Sequence, residues 1–244
     1  MRAAGDVLAV AGIDVVDGQR WVVREVDLAV EPGSVVAIVG GPAAGKSGLL
    51  ETIAGIRRPQ RGQILFAGRD VTDAEPARRL ALGIACSAQR PAAFAGLTVG
   101  EHLLLGQVPR RCSAGVAREG VLTLVPELAG RERDMPAALD RATLRLLDIG
   151  RALMSAPSLV LLDEPALDLG EERVAELVEA MREQGAGVLL AERYPGSALA
   201  LADYAYLMVE GRLLLQGQPS LLRDDERVHA ACVGESVEPL RYPA

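Results

Sequence analysis

An unbroken apolar run, Val35-Val36-Ala37-Ile38-Val39, leads directly into Gly40-Gly41-Pro42-Ala43-Ala44-Gly45-Lys46-Ser47, and a helix-forming stretch from Leu49 to Gly55 follows. An apolar run without alternation belongs to a strand covered on both faces, as in parallel sheets. A strand, a glycine-rich turn and a helix in succession make one βα unit of an α/β domain. The octapeptide satisfies the pattern G-x-x-x-x-G-K-[ST] in the context its chemistry requires. Its glycines let backbone N–H groups curl round phosphate oxygens, and the helix N-terminus adds positive potential. Lys46 reaches the β- and γ-phosphates and the Ser47 hydroxyl ligates magnesium. Of 26 basic residues one is lysine, and it is Lys46. A sequence that otherwise uses arginine keeps a compact ammonium where one must reach between phosphates.

A second buried strand, Leu159-Val160-Leu161-Leu162, ends in paired carboxylates, Asp163 and Glu164. Asp163 is placed to hold the magnesium through water, and Glu164, one residue further into the site, to accept a proton from an attacking water. Other strands are expected at Val7–Ile13 and Trp21–Val30 with an Asp17-Gly18 turn between them, and at Gln63–Phe66, Ile84–Ser87 and Val188–Glu192. A hairpin over Tyr204–Gln216 turns at Glu210-Gly211-Arg212. Helical pieces and loops fill Arg90–Pro136, a helix spans roughly Thr143–Ser155, and Val174, Leu177, Val178 and Met181 share one face of another. The fold class expected is α/β: a P-loop NTPase core with a mostly parallel sheet, an N-terminal antiparallel β subdomain and an inserted α-helical subdomain. The boundaries are 1–89 and 156–235 for the RecA-like core with its β subdomain, 90–155 for the helical subdomain, and 236–244 for a tail.

No stretch approaches the 18 apolar residues of a membrane-spanning helix, and Met1–Asp6 lacks the ordering of a secretory signal, so a cytoplasmic location is expected. The net charge of −7 argues against a nucleic-acid partner. Arg57-Arg58, Arg78-Arg79 and Arg110-Arg111 read as solvated faces. Cys86, Cys112 and Cys232, odd in number and widely spaced, suggest neither a disulfide framework nor a zinc site.

With these motifs the chain resembles ABC-transporter ATPases from about Val7 to Glu235. Pro165 and Ala166-Leu167-Asp168 are similar to the family's D-loop, where two subunits meet, and Gln89 matches the Q-loop glutamine, which contacts the metal and couples to the membrane domain. Phe94–Val99, Ile149–Met154 and Leu222–Val228 are similar to the shorter ATPase of branched-chain amino-acid importers. The resemblance implies ATP and Mg2+ as ligands, with Gly40 to Gly48 and Asp163 binding nucleotide, Ser47, Gln89 and Asp163 at the metal, and Glu164, Gln89 and Arg193 at the reaction. It implies transmembrane permease subunits and a second ABC ATPase subunit as partners, at the cytoplasmic face of the membrane.

The departures from the family are specific. Its Leu-Ser-Gly-Gly-Glu signature falls on Leu139-Asp140-Arg141-Ala142-Thr143, where the leucine alone survives. Asp140 puts a carboxylate where the facing subunit's γ-phosphate docks in the family, and as plain structure it is a helix N-cap. Arg141 can still offer a cation to a phosphate. Arg193 stands at the family's switch histidine and can pair with Glu164, with the γ-phosphate, or face outward. The family's adenine-stacking aromatic falls near Asp17, which cannot stack; Trp21 is the nearest substitute, although it reads better as a core or edge-strand tryptophan. Ala43 replaces a loop glycine and Gly48 a second hydroxyl residue. A homodimer would put both defects in both sites, so a heterodimer with a better-equipped ATPase is expected. The alternatives are a catalytically weak or silent nucleotide-binding scaffold and a soluble phosphate-loop enzyme such as a small kinase.

Overall fold

The computed structural model describes residues 5–108 and 113–235; Arg110-Arg111, Cys112 and the 236–244 tail lie outside them. In chain order the strands are β1 (Leu8–Asp17), β2 (Arg20–Val30), β3 (Val35–Val39), β4 (Arg61–Phe66), β5 (Arg69–Asp70), β6 (Ile84–Ser87), β7 (Leu159–Asp163), β8 (Gly187–Glu192), β9 (Tyr204–Val209) and β10 (Arg212–Gly217). The helices are α1 (Lys46–Ile53), α2 (Pro76–Leu82), α3 (Val99–Leu105), α4 (Ala114–Leu124), α5 (Arg141–Leu153), α6 (Ala166–Leu169), α7 (Glu171–Glu183), α8 (Pro195–Leu201), α9 (Pro219–Arg223) and α10 (Glu226–Val233). Two sheets form, in the orders β2-β1-β4-β5 and β10-β9-β3-β8-β7-β6. The first is antiparallel, while in the second β9, β3, β8, β7 and β6 run parallel and β10 returns antiparallel along the β9 edge.

Periodicity separates the two sheets. β3, β7 and β8 are buried at every residue. They hold the centre of the parallel sheet, with one apolar cluster on each face. One cluster joins Val36, Ile38, Leu161 and Leu189 to Leu49, Leu50 and Ile53 of α1 and to the antiparallel sheet. The other joins Val35, Ala37, Val160 and Leu162 to Val99 and Leu103 of α3, Val121 of α4, and Leu146, Ile149 and Leu153 of α5. The helices between β6 and β7 therefore share a core with the sheet. Burial of these side chains stabilises the assembly by about 1.5–3 kcal/mol each before chain entropy is counted.

The arginine pair at 78 and 79 departs from the expected solvated face. Arg79 is 1% exposed, and its guanidinium donates to the Thr52, Ile53, Thr72 and Ala74 carbonyls. Two of those acceptors lie in the last turn of α1, where carbonyls lack intrahelical partners, so Arg79 caps the helix that carries the glycine-rich loop. Burial lowers its pKa, yet an arginine stays charged. α5 is fastened in a comparable way. Ser87 Oγ at the end of β6 donates to Asp148 Oδ2 at 2.7 Å, and Arg145, 0% exposed, donates to the carbonyls of Ala88 and Gln89 just beyond.

Candidate active site

The glycine-rich loop leaves β3 at Gly40 and enters α1 at Lys46. A Cβ on Gly40 would stand 2.3 Å from the Met208 carbonyl oxygen, and one on Gly45 2.2 Å from that of Val22. Gly45 also takes a left-handed conformation, φ 108°, as the N-cap of α1, with no side chain in the capping position. The first-turn N–H groups of α1 thus face the loop without an internal acceptor, the arrangement that receives an anion. Ala43, at φ 60°, adopts a conformation that glycine would take without strain.

Lys46 is 3% exposed and lies inside this turn. Its ammonium donates to Gly40 O at 2.8 Å and Gly41 O at 3.1 Å, and stands 3.0 Å from Glu164 Oε1. Glu164 follows the buried end of β7 with φ 47°, a strained conformation for a residue with a Cβ. The turn aims its carboxylate into the site, where Oε2 accepts from Gln89 Nε2 at 2.8 Å. Lys46, Glu164 and Gln89, well separated in the sequence, meet here.

The donor set beside them fits a hard divalent cation. Asp163 is 3% exposed and its Oδ1 is buried without a hydrogen-bond partner, while the Ser47 hydroxyl bonds to its carboxylate. Desolvation raises the Asp163 pKa, opposed by the Ser47 bond and raised further by Glu164; a cation beside it would reverse the balance. An orphaned carboxylate oxygen, a hydroxyl and an amide within reach are the oxygen ligands magnesium takes.

Arg193 is half-buried, with its guanidinium 5.3 Å from the centre of the Tyr194 ring and its Nε buried without a partner. Of the three positions open to it, pairing with Glu164 is not the one adopted: that carboxylate bonds to Lys46 and Gln89. Outward exposure does not hold either, because Arg193 lines the cleft along with the glycine-rich loop, Gln89 and Glu164. Trp21 is 50% exposed on β2, at the edge of its sheet, and does not line the cleft, so it stands as an edge-strand tryptophan and does not enter the site.

A fourth charged group, Glu192, was not singled out from the sequence. It ends β8, is 5% exposed, and accepts the Ala166 N–H at 2.9 Å, pinning α6 to the sheet. Burial, reinforced by Glu164, pushes its pKa up to about 7. A carboxylate at the end of a wholly apolar strand was the available signal, the same one that marked Asp163.

The segment at the family signature is satisfied from within. Asp140 caps α5, with Oδ1 accepting Thr143 N–H at 2.7 Å, and this bond lowers its pKa. Arg141 pairs with Asp168 Oδ1, and Arg145 holds Asp168 Oδ2 at 2.9 Å. The helix N-terminus that would face a phosphate already carries a carboxylate, and the nearest cation is committed to another.

A family model described as ABC transporter matches residues 23–167, more than half of the chain. The chain belongs to this family. The ATPase is 32% identical over 221 residues to the high-affinity branched-chain amino acid transport ATP-binding protein BraG of Pseudomonas aeruginosa, covering 89% of this chain and 95% of BraG. It is 30% identical over 224 residues to the probable branched-chain amino acid transport ATP-binding protein LivF of Archaeoglobus fulgidus, covering 86% and 91%. A nucleotide-free ATP-binding cassette superposes with a TM-score of 0.82 at 24% identity over 94% of this chain and 100% of the other, showing the shared fold. The protein is thus an ATP-binding subunit of an ABC transporter and an ABC ATPase. No helix among its described residues is long and apolar enough to cross a membrane.

Proposed function

We propose that this subunit binds Mg-ATP on its own glycine-rich loop, closes against a second, better-equipped ABC ATPase, and drives permease subunits at the cytoplasmic face of the membrane. Import of branched-chain amino acids or a related small solute is the transport reading, supported by the likeness to BraG and LivF. We read residues 1–89 and 156–235 as the nucleotide-binding core and 90–155 as the helical part offered to the partner. Gly40 to Gly48 would cradle the triphosphate, with Lys46 leaving the Gly40 and Gly41 carbonyls and Glu164 for phosphate oxygens. Ser47, Asp163 and Gln89 would hold the magnesium, which when bound neutralises phosphate charge. Glu164, released by Lys46 and oriented by Gln89, would take the proton of the attacking water. Arg193, unpaired at Nε, would donate to the γ-phosphate.

The observation that carries the asymmetric part is the contrast between the two halves this chain contributes. Its own phosphate site has open amides at Gly45 and an orphaned Asp163 oxygen, whereas its signature segment is closed by Asp140 and by the Arg141–Asp168 pair. A carboxylate at the docking position repels a triphosphate. Hydrolysis would therefore run on this chain's loop facing the partner's signature. The test is repair in the assembled complex. Restoring the signature through Asp140→Ser, Arg141→Gly and Ala142→Gly should raise turnover, and the gain should survive Glu164→Gln here but vanish with the partner's catalytic Glu→Gln. Arg193→His should show the opposite dependence. If neither repair changes the rate, the departures are neutral; if no repaired complex hydrolyses ATP, the subunit is a silent scaffold.

A further inference from the structure

Once the loop holds a triphosphate with its terminal phosphate beside Lys46, Ser47 and Glu164, the nucleoside must extend away from that end. The cleft, about 730 Å³, continues past the loop to Val22, Gly48, Glu51 and Arg57. Val22 faces the loop, its side chain within 3.4 Å of where a Cβ on Gly48 would lie. Trp21, next to it on β2, does not line the cleft, and Tyr194, which does, lies beneath Arg193 just past the end of β8, where Glu192 bonds Ala166 beside Glu164 at the terminal-phosphate end. No aromatic side chain therefore borders the nucleoside end among the described lining residues. The planar group that does is a guanidinium.

Arg57 is held flat by two carboxylates. Nη1 stands 2.9 Å from Asp17 Oδ2 at the end of β1, and Nε bonds to Glu51 Oε2 on α1. Guanidinium N–H groups lie in the plane of the group, so the Nε bond to Glu51 uses an edge, and Arg57 itself lines the cleft. The side chain is 33% exposed, and its anchor is fixed because Arg57 N–H and Ile56 N–H both donate to the Glu51 carbonyl. A planar, ordered cation with an open face is the platform on which arginine stacks heterocycles.

We propose that Arg57, clamped by Asp17 and Glu51, is the base-stacking residue of this nucleotide site. The nucleobase lies on the guanidinium face, with Val22 packing beside it. Asp17 is then a positioning residue: it cannot stack, and it orients the group that does. Stacking on a π-face is tolerant of base identity, so the site takes purine nucleoside triphosphates with little discrimination between ATP and GTP. The inference rests on the glycine-rich loop holding the triphosphate.

The experiment is calorimetric titration of the full chain with ATP, GTP and inorganic tripolyphosphate, which has the phosphates but no base. Arg57→Ala should weaken ATP and GTP alike, on the order of tenfold, and leave tripolyphosphate within twofold. Arg57→Tyr should recover most of the nucleotide affinity because it restores a stacking face, whereas Arg57→Lys, which keeps the charge, should not. Asp17→Ala should weaken nucleotide and not tripolyphosphate. Equal losses for nucleotide and tripolyphosphate in Arg57→Ala would make Arg57 a phosphate contact; full affinity in Arg57→Ala, or recovery by lysine, would equally overturn the proposal. Lys46→Ala, run alongside, should lose all three ligands, and retention there would mean that the loop assignment has failed instead.

Discussion

Arg145 offers the sharpest test of how this site is supported. It is wholly buried and joins three segments: it donates to the carbonyls of Ala88 and Gln89 and to Asp168 Oδ2. Arg145→Met keeps the volume and removes every donor. Two carbonyls then lose a partner, and the Asp168 side chain, itself 0% exposed, keeps among the described residues only the ion pair with Arg141, which is 73% exposed. Removing one partner of a buried ion pair costs about 3–5 kcal/mol, because the other charge stays behind. With the carbonyls sharing that range, we expect a loss of about 4 kcal/mol, a large part of the 5–15 kcal/mol over which folded domains are stable. Urea unfolding followed by circular dichroism reads it directly, and a melting temperature lower by roughly 8–16 °C should accompany it. Adding Asp168→Asn removes the stranded charge and should restore about 1–2 kcal/mol. A loss below about 1 kcal/mol, or a double variant as unstable as the sum of the singles, would refute the argument that a buried charge pair fastens α5 to the Gln89 loop.

Three further outcomes follow from the same geometry. Lys46→Ala should abolish tight Mg-ATP binding by fluorescence or calorimetry while circular dichroism stays native; unchanged affinity would sink the loop assignment. Glu192 titrates near 4.5 when unfolded and at about 7 in the fold. Between those values the unfolded chain releases its proton first, so this residue makes stability fall as pH rises, by up to about 3 kcal/mol. Glu192→Gln should flatten that slope, gaining on the wild type at pH 8 relative to pH 5 in urea titrations; parallel pH profiles would contradict it. The isolated chain should show negligible ATPase activity, since hydrolysis needs a facing subunit, and turnover independent of protein concentration at high dilution would argue against this.

What the sequence determined by itself is what depends on near neighbours along the chain. β3 begins and ends with its apolar run, and β6 and β7 begin with theirs and end one residue past them, at Ser87 and Asp163. The Asp140 cap was legible because a cap reaches only three residues ahead, and the glycine-rich loop because its backbone turn and its lysine lie within eight positions. Even here local signals misplaced edges: α1 starts at Lys46 rather than Leu49, since Gly45 can serve as an N-cap without a capping side chain. Tertiary structure decided where the long polar side chains go. Arg79 reads as one half of a solvated pair until its acceptors on α1, 26 and 27 residues back, are brought beside it. Arg145 finds its carbonyls 56 and 57 residues away, and Arg57, on the loop between α1 and β4, finds Asp17 at the end of β1. A flexible arginine has no periodicity of its own, because its charged head can reach solvent or a distant acceptor from the same backbone position. Whether it is surface or strut is set by which carbonyls the fold leaves unpaired within its reach, and that is a property of the packed chain.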